Sequence, residues 1–237
     1  MADPIPYPKR ITRILEKWHA GAVTPQDCKA CSSSCCSHGG FAIFENVEAI
    51  FALYQRGELK REGYEFPPNL SFLDFVKTYF DVWAYTTGRW FWKKRFAAFY
   101  MRSLSSDGHL ISIPAVGGSY HVTRSELFDD NPWLNKGCVF LSKPVENWPS
   151  DDKDESRHCI LHHPESSTRL TQKPIDCVFF VCSTPLKGKV PTKRFSRKWF
   201  RALAVSYPHG LERFLELAEK DQEKDDHPTT ESNVGLD

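Results

Sequence analysis

The chain has almost no net charge. Its 31 Lys and Arg stand against 30 Asp and Glu, a formal balance of +1 over 237 residues. Such a chain projects no global field toward nucleic acid or an anionic membrane, and any binding of that kind must be local. Long apolar runs are missing as well: runs such as Cys177 to Cys182 are far short of the ~18 residues a membrane helix needs. The opening residues, Met1 to Arg10, hold no apolar segment of the sort a secretory signal carries. These absences predict a cytoplasmic protein with no membrane partner. There is also no phosphate-cradling glycine loop, no HExxH helix and no persuasive Ser–His–Asp order, so three common catalytic signatures drop out.

What the chain does have is cysteine. Cys28, Cys31, Cys35 and Cys36 fall within nine positions, and Cys138, Cys159, Cys177 and Cys182 follow much later. In a reducing compartment, clustered thiols are metal ligands or catalytic groups more often than disulfides. Eight cysteines formally permit a disulfide framework, but the missing export signal argues against it. A catalytic thiol is the other competitor. Redox Cys-x-x-Cys pairs usually open a helix after a strand, nothing strand-like precedes Cys28, and six further cysteines would go unexplained. Thiolates bind zinc and iron–sulfur clusters best in sets of four. Cys28-x-x-Cys31 is the usual chelating pair, whereas the side chains of Cys35 and Cys36 tend to diverge. Eight thiolates suit two four-ligand sites, one polynuclear cluster, or one site with spare cysteines, and spacing does not choose among them. His38, His158, His162 and His163 are auxiliary ligand candidates, more simply read as hydrogen-bonding or solvated. The acidic run Asp151 to Glu155 reads as a solvated loop.

The rest of the chain reads as helices and short strands. Ile11, Ile14, Leu15 and Trp18 share a helical stripe that Gly21 ends. The serines and glycines around the first cysteines predict a loop. Glu45 to Leu59 predicts a helix with Val47, Ile50, Phe51 and Tyr54 on one face. Phe72, Phe75, Val76, Tyr79 and Phe80 predict a second, ending before Gly88. Arg89 to Leu104 predicts a third, with Trp92, Phe96, Phe99 and Tyr100 inward beside Lys93, Lys94 and Arg95. Aromatics mixed with bases can stack on nucleic acid, but a core face with a solvated basic side is the simpler reading. Leu110 to Ile113 and Ser119 to Val122 predict two short strands around Gly117-Gly118. Helix resumes from Ser196, with Trp199, Phe200, Leu203 and Ala204 inward. A last helix carries Leu211, Phe214, Leu215 and Ala218, and the charged sequence after Lys220 predicts disorder. The segments divide as 1–27 (helix and lead-in), 28–185 (cysteine-cluster domain), 186–220 (basic helical segment) and 221–237 (tail).

With both cysteine sets in view, the sequence resembles the CxxCxxCC family of zinc- or iron-chelating cysteine-cluster proteins, often called YkgJ-like. Cys28, Cys31, Cys35 and Cys36 match its dense first set. Gly137 to Leu141 looks like its apolar Cys segment, Cys159 to His162 its next, and Lys173-Pro174-Ile-Asp-Cys177 its closing element, with Cys182 beyond. The first set here has three residues between Cys31 and Cys35 rather than two, and Lys173 stands where the family usually has Arg. The resemblance spans roughly residues 28 to 182. It implies a metal centre, and one similar branch, the flagellin lysine methylases, is linked to iron–sulfur chemistry.

The expectation is therefore a mainly α chain with a small β element (α+β), a single irregular domain drawn together by a metal on all eight cysteines, zinc or iron–sulfur. Its role is metal binding, with a protein partner or substrate. The alternatives are an iron–sulfur enzyme, redox or modifying protein side chains, and a nucleic-acid module using residues 187–201, which the neutral charge disfavours.

Overall fold

A computed structural model describes residues 5–18, 41–88, 93–104, 108–111, 137–144, 158–163, 165, 168–181 and 193–226. Helices and small sheets share this part of the chain, an α+β arrangement. At its centre lies a three-stranded antiparallel sheet made of β2 (Phe41–Ala42), β4 (Lys94–Met101) and β3 (Phe80–Thr87), in the order β2-β4-β3. Strand β4 pairs with β3 over its whole length, from Phe80 opposite Met101 to Thr87 opposite Lys94. Side chains alternate across a strand, so Phe96, Ala98 and Tyr100 face one side of β4 while Ala97, Phe99 and Met101 face the other. Two hydrophobic clusters divide along that line.

Helices cover both faces. On the Phe99 side stand α2 (Phe44–Gln55), α3 (Phe72–Tyr79) and α6 (Gly210–Asp226). Helix α2 buries Val47, Ile50 and Tyr54, α3 buries Phe75, Val76 and Tyr79, and Phe214 of α6 meets Phe99 edge-on at 5.4 Å. On the Phe96 side stand α1 (Lys9–Trp18) and α5 (Lys193–Ser206), which contribute Ile11 and Leu15, and Trp199 and Leu203. Phe200 stacks on Tyr85 and Phe96 at 5.1 and 5.6 Å. Short pairings complete the frame: β1 (Ile5–Pro6) with β7 (Arg169–Leu170), and β5 (Ser103–Leu104) with β6 (Leu110–Ile111). Helix α4 (Ile175–Val181) carries Cys177.

The local chemistry explains the boundaries. Ser71 caps α3 by accepting the amide of Asp74 at 3.1 Å. Helix α2 ends at Gln55 rather than Leu59, because Gly57 takes φ +67 just past the end. The amides of Gly57 and Glu58 then fold back onto the carbonyls of Tyr54 and Leu53, which satisfies two carbonyls at the helix end.

Three expectations are corrected. Where a helix over 89–104 is expected, residues 94–101 are strand β4, and residues 89–92 lie outside the described residues. The helix from Phe72 stops at Tyr79, and 80–87 are strand β3. The first error follows from the burial of β4, which helices cover on both faces. A strand buried on both faces shows a continuous apolar run rather than alternation, and Phe96, Phe99 and Tyr100 then fall by chance at helical spacing. The last helix also continues past Lys220 to Asp226, and Leu215 is exposed rather than inward. Strand Leu110–Ile111 is present, paired with Ser103–Leu104; the expected Ser119–Val122 strand lies outside the described residues, as do Trp90 and Trp92.

Candidate metal centre

Of the eight cysteines, Cys138, Cys159 and Cys177 are described; Cys28, Cys31, Cys35, Cys36 and Cys182 lie outside the described residues, as do His38 and the Asp151–Glu155 run. All three described cysteines border the larger hydrophobic cluster, Cys138 and Cys177 within it and Cys159 packed against it. No disulfide joins them to one another. Among the described residues, no three His, Cys, Asp or Glu side chains come together as a group that can hold a metal ion.

The chain presents Cys138 and Cys159 in the same way. Each opens a turn closed three residues later, with the Leu141 amide on the Cys138 carbonyl and the His162 amide on the Cys159 carbonyl, both at 3.0 Å. The two turns are adjacent steps of one backbone ladder. The Val139 amide donates to the Arg102 carbonyl at 3.0 Å, continuing from β5. The Ile160 amide donates to the Phe140 carbonyl at 3.0 Å, and the Ser142 amide to the His158 carbonyl at 2.8 Å. Bridges pair Ser103 with Cys138 and Leu141 with Cys159. The ladder starts at Gly137, whose φ of +79 favours glycine. Cysteines 21 positions apart are thus set on neighbouring rungs.

Buried charge collects around these turns. Arg61, 6% exposed, donates a guanidinium N–H to the carbonyl of Cys138. Lys173, 3% exposed, places its Nζ 3.3 Å from Nδ1 of His162, three residues after Cys159. Asp176, 1% exposed, adjoins Cys177 in sequence. Buried charges are rare because desolvation is expensive unless opposite charge or hydrogen bonds offset it. His158 and His163 sit nearer the surface, where His158 meets Ser142 and His163 accepts the amide of Glu165 at 3.2 Å.

Asn46 ties this region to the start of α2. It is fully buried and uses its whole hydrogen-bonding capacity. Its Oδ1 accepts the amides of Ile43 at 3.3 Å and Ile175 at 3.1 Å, while its Nδ2 donates to the carbonyls of Thr171 at 2.6 Å and Lys173 at 3.2 Å. Sequence reading missed Asn46, Arg61 and Asp176. A trace of Asn46 was present: a polar residue on the inward stripe of an apolar helix. Arg61 left none.

Of the aromatics expected beside the bases, Trp92 lies outside the described residues and Tyr100 is partly buried. Phe96 and Phe99 are buried on opposite faces of the sheet, while Lys93, Lys94, Arg95, Lys198 and Arg201 are exposed. No helix is long and apolar enough to cross a membrane. No family model matches the chain, and the comparisons with curated proteins and with solved structures found no match.

Proposed function

We propose that the protein binds a metal, zinc or an iron–sulfur cluster, through its cysteines, with the second set completing a centre that the first set begins. The observation that carries this reading is the buried, partly basic neighbourhood of Cys138, Cys159 and Cys177. Four thiolates on a divalent ion leave net negative charge, and in a low-dielectric interior that charge needs cations nearby. Arg61 and Lys173 are cations of that kind, held at the backbone of Cys138 and beside the turn of Cys159. The donor chemistry fits as well, since soft sulfur selects zinc and iron–sulfur. The cysteine order and its likeness to the CxxCxxCC family support the same reading.

The test is anaerobic purification of the full chain, with metal and acid-labile sulfide analysis and an absorption spectrum. A brown protein absorbing near ~400 nm that bleaches in air identifies iron–sulfur. A colourless protein with one or two equivalents of zinc identifies a zinc centre and removes the iron–sulfur enzyme. Protein with neither metal overturns the proposal.

A further inference from the structure

We infer that Asn46 is the positioning residue that holds Cys177 and the Cys159 turn in place relative to the start of α2. The inference rests on the metal-binding reading above. The amide of Ile43 ends on Oδ1 of Asn46. The amide of Ile175 ends on the same oxygen, and Cys177 follows two residues later. One atom therefore joins the start of α2 to the helix that carries Cys177.

The amide group of the same side chain holds the other end of the approach. It takes the carbonyls of Thr171 and Lys173 and so fixes the segment entering α4. From there Lys173 reaches the nitrogen of His162, in the turn that Cys159 opens. Asn46 thus organises the backbone at both ends of a path running from Ile43 through 171–175 to the Cys159 turn. The α2 capping bond alone does not require this. A side chain that only capped α2 would use one acceptor, whereas here all four hydrogen-bonding positions are used and three go to residues at least 125 positions away.

Positioning of this kind sets how tightly a metal is held, and losing such support commonly costs about 10–100-fold in metal affinity. The experiment uses the full chain, purified anaerobically with the metal it carries. It measures the rate of metal release to a chelator and the urea midpoint of the loaded protein. Asn46→Leu removes all four bonds. Asn46→Asp keeps the acceptors but turns an oxygen toward the carbonyls of Thr171 and Lys173, and it answers the question if the leucine variant does not fold. Tyr54→Phe is the control: its hydroxyl serves Pro67 and Leu70 in the same core, away from the path.

The expected result is release at least about tenfold faster in the Asn46 variants, with the wild-type rate in Tyr54→Phe. Wild-type release rates in both Asn46 variants overturn the inference and leave metal binding standing. So does equally fast release in Tyr54→Phe at a similar urea midpoint, because general loosening then suffices. A wild-type chain that carries no metal overturns the metal-binding reading itself, and the inference with it.

Discussion

Gly210 lies so close to Phe44 that a methyl group on its Cα would sit 2.9 Å from the Phe44 Cβ. Phe44 has little room to retreat. Its ring meets Phe72 at 5.7 Å and Phe99 at 6.0 Å, and the guanidinium of Arg213 lies 4.5 Å from its centroid. Helix propensity favours Ala over Gly by at most about 1 kcal/mol, while forcing an extra carbon into a packed site costs about 1–3 kcal/mol. Gly210→Ala is therefore expected to destabilise the chain by about 1 kcal/mol or more, read as a lower urea midpoint at unchanged slope. A raised midpoint would show that the α2–α6 contact yields easily.

Glu45 sits in the first turn of α2, with one carboxylate oxygen buried and no hydrogen bond to it among the described residues. Burial raises its pKa above the ordinary 4.5; a backbone hydrogen bond and the charges of Arg213 and His209 oppose this, and Glu48 adds to it. The folded chain thus keeps this proton to higher pH than the unfolded chain does. Below about 4.5 the contribution to stability is complete, and as pH rises the unfolded state ionises first and draws the equilibrium toward itself. Glu45→Gln removes that loss. Urea midpoints from pH 4.5 to 8 are expected to show the gap between Glu45→Gln and wild type moving in favour of the variant as pH rises. A gap that stays constant or moves the other way would refute the account.

How much the sequence disclosed depended on how many faces each element buries. Helix α2 was legible because its buried Val47, Ile50 and Tyr54 recur at 3.6-residue spacing against polar neighbours. Strand β4 was not, since helices cover both its faces and erase the two-residue period. The cysteine sets were visible as a list. Their presentation was not: the ladder that seats Cys138 and Cys159 on adjacent rungs is made of backbone hydrogen bonds, which leave little mark on side-chain identity. The tie through Asn46 joins segments more than 120 residues apart, beyond the reach of any local pattern.

Arg102 fastens this ladder to the sheet. Its backbone amide donates to the Tyr79 carbonyl and its carbonyl accepts the amide of Val139, next to Cys138. Its guanidinium holds Asp81 at 3.0 and 3.2 Å and the carbonyl of Thr78 at 3.2 Å. The side chains are 26% and 18% exposed, so the pair is partly shielded from water and should exceed an exposed ion pair in worth. Asp81→Asn is expected to cost about 1–2 kcal/mol. A double-mutant cycle with Arg102→Met that gives zero coupling would show the pair to be incidental.

Cys177 offers the sharpest separation between ligand and core. It is 5% exposed within the larger hydrophobic cluster, and a buried Cys with no other task behaves as a small apolar residue. In that role Cys177→Ala is better tolerated than Cys177→Ser, which buries a hydroxyl, and metal content is untouched by either. As a ligand, both substitutions remove the same sulfur, so both lose metal to the same extent, and stability falls with it by more than about 2 kcal/mol because binding energy at such centres is folding energy. The second pattern is the expected one. Cys31→Ser, made alongside, separates one centre from two. With a shared centre, Cys31→Ser and Cys177→Ser each abolish the metal, and the double variant loses nothing further. With separate centres each single variant keeps about half the metal and the losses add. Full metal content in Cys177→Ala would place this sulfur in the core alone and confine the metal to the remaining cysteines.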